Sequence, residues 1–225
     1  MLVSVSLTGG IAEAHQPAGL LNIPDKSDDQ LYETIKQVGD SVGSTLLLAT
    51  LSPVMLVVAI LIKLTSPGPV IYAQTRLTIN KKPFTIYKFR TMRTDAEKLS
   101  GAVFAQSNDP RITPIGRFLR LTRLDELPQL FNVLKGEMSL IGPRPERPEL
   151  VEQLAKEFIG FNQRTNVKAG ITGLAQVSSG YASSVEDYKA KLALDRLYVN
   201  NRCLSLDIKI AFRTVLTVIT GSGAK

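Results

Sequence analysis

Thr45 to Ile62 (TLLLATLSPVMLVVAILI) is a run of 18 residues without a charge. That length meets the lower limit for a transmembrane helix. Core helices of soluble domains seldom stay apolar on every face for so long, so the run is read as membrane-inserted. It is not a cleaved signal peptide, because it begins too late and the region before it is acidic. Its middle carries Ser52-Pro53. Proline removes one backbone donor and crowds the carbonyl four residues back, that of Ala49. A kink follows, and Ser52 is placed to satisfy the freed polar groups. Two arrangements stay open. In one, a kinked helix crosses the bilayer. In the other, the helix breaks at Ser52-Pro53 and returns to the side it came from, each arm of about 10 residues reaching roughly 15 Å. Proline is common in ordinary spans, so the residues alone favour the crossing. The positive-inside rule puts the chain after Lys63 in the cytoplasm.

Charge divides the chain. It carries 27 Lys and Arg against 20 Asp and Glu, a net charge of +7. Residues 1–40 hold two basic and six acidic residues, a balance of −4, and read as a weakly structured acidic segment. The rest carries +11. A basic body calls for an anionic partner: nucleic acid, a phosphorylated substrate or an anionic membrane face. Nucleic acid fits poorly. There is no Trp to stack on bases, aromatics are few, and no nucleic-acid motif is present. Cys203 is the one cysteine and His15 the one histidine, which excludes a disulfide framework, Cys-cluster metal sites and multi-His centres. CxxC, HExxH, GxSxG and Walker A are absent. The chemistry must therefore use carboxylates, hydroxyls, Lys and Arg.

After the apolar run, Ser66-Pro67-Gly68-Pro69 ends the helix. Val70 to Gln74 and Phe84 to Phe89 are short β-rich runs, joined by a turn at Asn80-Lys81-Lys82-Pro83, so a hairpin is expected. Thr94 to Leu99 reads as a short helix and Gly101 to Asp109 as a polar loop. Ile115 to Leu124 reads as an amphipathic helix carrying Arg117, Arg120 and Arg123, and a second helix is expected from Asp125 to Leu134. Ser139 to Pro148 (SLIGPRPERP) holds three prolines and reads as a stiff extended loop. Pro148 suits the first turn of a helix from Glu149 to Phe161. Ser183 and Glu186 form a capping box for a helix from Ser184 to Asn200, and a last apolar helix spans Asp207 to Thr220. The body is α+β, helix-rich, with small β-strands. Three parts follow: an acidic segment over 1–40, a membrane helix over 41–66 and a catalytic body over 67–225.

Leu124-Asp125-Glu126-Leu127-Pro128 sets two carboxylates side by side. Asp is a good N-cap and Pro is tolerated in the first turn, so both are expected at a helix N-terminus, where N–H groups favour anions. A carboxylate kept ionised there suits a nucleophile or a Mg²⁺ ligand. An acidic cap paired with Arg120 or Arg123 is the competing reading. Arg144 and Arg147 on the stiff loop suit bidentate phosphate binding. Strand alternation places Lys88 and Arg90 on one face, away from Tyr87 and Phe89. Lys168 to Gln176, with Thr172 and Gln176, is a glycine-containing turn that reads as a substrate loop. Together these residues fit phosphoryl or phosphosugar transfer at a membrane surface.

Seven ordered stretches carry a resemblance. They are SPGPV at 66–70, YKFRTM at 87–92, NDPRIT at 108–113, GRFLR at 116–120, DELPQL at 125–130, GEMSLIGPRP at 136–145 and GITGLAQV at 170–177. From about Val42 to Thr220 the chain resembles the bacterial sugar transferases, monotopic polyprenyl-phosphate phosphoglycosyl transferases. The resemblance implies that Asp125 attacks the β-phosphate of a UDP-sugar, releases UMP and forms a phosphosugar–enzyme intermediate that polyprenyl (undecaprenyl) phosphate accepts. It implies that Glu126 binds Mg²⁺, and that Lys88, Arg120 and Arg144 hold phosphates. It implies a re-entrant helix broken at Ser52-Pro53, reversing the preference above, and a catalytic domain on the cytoplasmic face of the bacterial inner membrane. Exopolysaccharide, capsule or another glycan is the expected product line. Ala169 stands where proline is usual, Leu174 where tryptophan is frequent and Arg123 where a small polar residue is usual, which leaves the sugar open. Larger relatives carry an extra helix bundle, so this chain resembles the small form with an acidic segment added. A homodimer is left open. The competing reading is a catalytically silent membrane-anchored module, against which the intact Asp125-Glu126 pair argues.

Overall fold

A computed structural model describes residues 29–96, 109–179 and 185–220. Helix α1 (Asp29–Thr65) leads into β1 (Ile71–Leu77) and β2 (Pro83–Phe89). Then come α2 (Pro114–Thr122), α3 (Gln129–Leu134), β3 (Ser139–Ile141) and α4 (Pro148–Glu157). The described chain closes with β4 (Gly170–Thr172), α5 (Leu174–Ser178), α6 (Val185–Asn200) and α7 (Leu204–Thr220). The architecture is helix-rich with small strands, as the residues predict.

Helix α1 is long and apolar enough to cross a membrane by length and composition. It starts at Asp29, twelve residues before the expected boundary at 41, and Pro53 lies inside it. Ser52 Oγ donates to Ala49 O (3.0 Å), the carbonyl that Pro53 leaves without its helical donor. The polar stretch 29–40 is helical because its charges have partners on the body, which local composition does not reveal. Tyr32 Oη and Lys36 Nζ donate to Asp207 Oδ2 on α7 (3.0 and 2.7 Å), and Leu140 N donates to Asp40 Oδ1 (2.9 Å). Residues 1–28 of the acidic segment, His15 among them, lie outside the described residues. A stripe of Ser44, Leu48, Leu51, Met55, Val58 and Ile62 turns inward at helical spacing, while Leu46, Leu47, Val54, Leu56 and Val57 stay exposed.

The expected hairpin is present: β1 and β2 pair antiparallel with Ile71 opposite Phe89 and Leu77 opposite Pro83. Asn80 (φ 54°) turns the chain between them, a conformation that Asn tolerates better than most residues. Phe89 packs with Val58 and Ile62 of α1 and Leu119 of α2, which ties the hairpin to the long helix. β3 and β4 form a second, parallel pair, Ser139 opposite Gly170 and Ile141 opposite Thr172. A Cβ on Gly170 would lie 2.1 Å from Gly142 N, so this crossing requires glycine. The pair sits over a core of Ile141, Leu174, Tyr198, Leu206 and Ile210. Leu174 is therefore a packing residue. Ala169 N donates to Thr78 Oγ1 (3.1 Å), a bond proline could not make.

Three further expectations change. No helix runs from Asp125 to Leu134. Arg123 adopts the left-handed region (φ 60°), Leu124–Glu126 form a single 3₁₀ turn, and α3 follows Pro128. The helix after Pro148 ends at Glu157, and Phe161–Asn166 form a separate 3₁₀ segment. Thr94–Ala96 form a turn. Residues 97–99 of the expected short helix, 101–108 of the polar loop and the Ser183–Glu186 capping contact lie outside the described residues or side chains.

Candidate active site

The site gathers where the end of β2, the 3₁₀ turn after α2 and the Pro-rich loop meet. Lys88 shares the β2 face of Phe84 and Ile86, both buried in a core with Val133 of α3 and Met138. That packing aims Lys88 at the turn. Lys88 Nζ donates to Glu126 Oε1 (2.8 Å), and Arg144 Nη2 donates to the same oxygen (2.7 Å). Asn132, fully buried on α3, holds the β2 edge. It accepts from Tyr87 N (3.1 Å) and donates to Thr85 O (2.7 Å).

Both carboxylates of the pair are buried, each 8% exposed. They differ in what faces them. Asp125 takes no hydrogen bond from any described residue. Burial, and then the negative charge of Glu126, push it up to about 6, against Lys88, Arg120 and Arg144. Burial alone would raise Glu126 too, but Arg144 and Lys88 outweigh it and hold its carboxyl well below the usual range. Burial lowers the Lys88 ammonium even against the pull of Glu126. The environments thus separate two adjacent carboxyls into one committed anion and one that titrates close to neutrality, the pattern that marks functional pairs.

The structure brings Lys88, Asp125, Glu126 and Arg144 together, with the charge of Arg120 acting on Asp125. Arg120 Nε donates to Thr91 Oγ1 (2.9 Å). Arg90 is elsewhere. It lies beyond the strand end, 6% exposed, and donates to Ser66 O (2.8 Å) and to Pro67 O. It ties the hairpin to the residues that follow α1. Arg147 sits at the N-cap position of α4. Thr172 Oγ1 pairs with Thr214 Oγ1 of α7 (2.8 Å), and Gln176 Nε2 donates to Ile171 O (2.8 Å), so both join β4 to its neighbours. Asn132 and the buried Arg164–Asp195 pair (2.8 Å) are absent from the sequence-based set. An Asn inside the apolar run LFNVL was a readable signal for the first; nothing local marks the second.

Among the described residues, no group of three or more His, Cys, Asp or Glu gathers to hold a metal. The donor chemistry of Asp125 and Glu126 fits a different kind of ion site. Magnesium keeps several waters and binds through one or two carboxylates plus substrate phosphates. A free buried Asp125 carboxylate beside Glu126 meets that requirement.

The bacterial sugar transferase family model matches residues 31–221. Over 227 residues the chain is 43% identical to the UDP-N-acetylgalactosamine-undecaprenyl-phosphate N-acetylgalactosaminephosphotransferase of Aeromonas hydrophila, covering 99% of this chain and 52% of that protein. It is 43% identical over 182 residues to the UDP-glucose:undecaprenyl-phosphate glucose-1-phosphate transferase of Klebsiella pneumoniae, covering 80% of this chain and 39% of the relative. It is 43% identical over 194 residues to the exopolysaccharide production protein PSS of Rhizobium leguminosarum bv. phaseoli, covering 83% and 96%. The chain thus spans about half or less of the first two relatives and nearly all of the third. The family match covers all but the first two residues of α1 and every element that builds the Lys88–Asp125–Glu126–Arg144 cluster, and the chain belongs to the bacterial sugar transferases.

Proposed function

We propose that the chain is a phosphoglycosyl transferase that moves a sugar 1-phosphate from a UDP-sugar to undecaprenyl phosphate and releases UMP. This would be the initiating step of exopolysaccharide or capsule assembly. The observation that carries the reading is Asp125, a buried carboxylate with no hydrogen bond among the described residues, beside a carboxylate neutralised by two cations. The activities of the relatives supply the substrate classes.

Asp125 Oδ attacks the β-phosphorus of the donor. The bond from that phosphorus to the bridging oxygen breaks, and UMP leaves with the oxygen. An acyl phosphate joins the sugar to Asp125. An oxygen of undecaprenyl phosphate then attacks the same phosphorus, and the bond to Asp125 breaks, which restores the carboxylate. Lys88 and Arg144 meet at Glu126 and are placed to take phosphate oxygens, while Arg120 balances charge at Asp125. Asp125 and Glu126 would hold a magnesium ion, which supplies charge neutralisation at the diphosphate. Splitting the transfer in two suits a water-soluble donor and a lipid acceptor that need not bind together.

The purified, detergent-solubilised protein with magnesium is tested on a panel of UDP-sugars including UDP-glucose and UDP-N-acetylgalactosamine. Without lipid, UMP is expected to stop at about one equivalent per enzyme; with undecaprenyl phosphate it continues. Lipid-dependent UMP release with no burst in its absence would replace the two-step route with direct transfer.

Helix α1 enters and leaves the cytoplasmic face of the membrane without crossing. Both of its halves touch one body: Tyr32, Lys36 and Asp40 bind α7 and Leu140, and Val58 and Ile62 pack on Phe89 and Leu119. A helix crossing the bilayer would leave its first half on the far side from these partners. The exposed apolar side of α1 then meets lipid, with Ser52-Pro53 as the place to bend. Single cysteines at Gln30 and Lys63 in a Cys203→Ser background should both react with a membrane-impermeant maleimide in inside-out vesicles, and neither in right-side-out ones. Opposite labelling of the two would restore the crossing.

A further inference from the structure

The loop that presents Arg144 cannot hold its own shape. Pro143, Pro145 and Pro148 have no N–H, so the segment has few donors for its own carbonyls. Four consecutive carbonyls are instead satisfied from outside. Gly170 N donates to Pro143 O (2.9 Å) and Leu77 N to Glu146 O (3.1 Å). Arg164 Nη2 donates to Arg144 O (2.8 Å) and Arg76 Nη1 to Pro145 O (3.1 Å).

Of these, Arg164 holds the carbonyl of the residue whose side chain reaches Glu126. Its side chain is 8% exposed and is fixed in turn from α6, by Asp195 Oδ2 at 2.8 Å. Glu146 Oε1 lies 3.6 Å from Arg164 Nη1 and accepts from Tyr188 Oη of α6 (3.2 Å). A buried ion pair of this kind is weak evidence for stability, because desolvation offsets much of the attraction. What it does provide is direction. A guanidinium offers donors in a rigid fork, so one side chain can be held by Asp195 and Glu146 while it grips a backbone carbonyl.

We infer that Arg164, oriented by Asp195, is a positioning residue that fixes the backbone from which Arg144 reaches Glu126. The inference rests on the proposed role of Arg144 at the donor phosphate. Lysine at 164 keeps a charge facing Asp195 but has no planar fork to serve Arg144 O as well.

The test measures lipid-dependent UMP release from UDP-glucose and UDP-N-acetylgalactosamine with magnesium and undecaprenyl phosphate, using whichever donor the parent accepts. Arg144→Gln is measured first; full turnover in it would overturn the role of Arg144 and so separate that failure from failure of the inference. Arg164→Lys is then expected to lose about 10-fold or more in turnover, the scale of a small misplacement of a binding group. Its melting temperature should stay within about 3 °C of the parent. Asp195→Asn, which leaves the arginine in place but removes its charged anchor, should lose turnover in the same direction. In the Arg144→Gln background, Arg164→Lys should change the residual turnover by less than about twofold, because the side chain it positions is gone. Losses that multiply in the double variant, or full turnover in both Arg164→Lys and Asp195→Asn, overturn the inference.

Discussion

Asp125→Asn is expected to abolish turnover and, at the same time, to make the protein harder to melt at neutral pH. The loss of activity follows from removing the attacking oxygen; an amide is no nucleophile towards phosphorus, and a fall of about 10³-fold or more is expected for a lost nucleophile. The gain in stability follows from the environment. The ordinary aspartate value of 3.8 rises to about 6 in the folded protein, first through burial and then through Glu126. A raised acid is disfavoured as an anion in the folded state. The fold carries no penalty below pH 3.8, where both states are protonated, and a growing one as pH rises to about 6, after which it is constant. Two units correspond to roughly 3 kcal/mol. An unpaired buried amide gives back about 1–3 kcal/mol of that. The variant is therefore expected to be up to about 2 kcal/mol more stable at pH 8, a rise in melting temperature of up to about 5 °C, which falls on acidification and reverses by pH 4, where only the cost of the amide is left. Thermal unfolding of both proteins across that range checks it, and a variant less stable than the parent at pH 8 would contradict the desolvated state of Asp125. The same titration predicts that parental turnover falls on acidification through about pH 6, as the nucleophile is protonated.

The β1–β2 hairpin and helices α2, α4, α6 and α7 were legible because each carries its own signal: alternation, turn chemistry, an amphipathic pattern, a Pro at the first turn, a capping box or a broad apolar face. The acidic pair was legible as chemistry but not as geometry. Its neighbours suggested an α-helical N-terminus, whereas the left-handed Arg123 ends α2 and forces a tight turn between two helices. The β3–β4 pair is three residues on each side and depends on Gly142 meeting Gly170, a contact that no local period encodes. Lys88 and Arg90 looked equivalent two residues apart on a strand. The strand ends between them, so one enters the cluster and the other binds the carbonyls of Ser66 and Pro67, just after α1. The start of α1 and the Arg164–Asp195 pair were invisible for a shared reason: their charges are satisfied by partners far along the chain, Lys36 with Asp207 and Arg164 with Asp195.

Glu126→Gln is expected to cost about 10²-fold or more in turnover while moving the acid limb of the pH profile downward. In the parent, Glu126 is the anion on which Lys88 and Arg144 converge at 2.8 and 2.7 Å. A neutral amide still accepts one of these hydrogen bonds but no longer offsets two cations, so their placement for a diphosphate is lost. For Asp125 the effect has the opposite sign. Glu126 is the second cause of its elevation, after burial, and the three cations that oppose the shift remain. With the carboxylate gone, burial alone works against Lys88, Arg120 and Arg144, and Asp125 ionises at lower pH. A metal held through Glu126 would give the same loss of turnover with a further signature, a higher magnesium concentration for half-maximal turnover. The residual activity of Glu126→Gln, followed from pH 5 to pH 8, should thus lie lower than the parent throughout and fall away at a more acidic pH. An acid limb that moves upward instead would mean that Asp125 owes its elevation to something other than the charge beside it, and would assign the titration near pH 6 to another group.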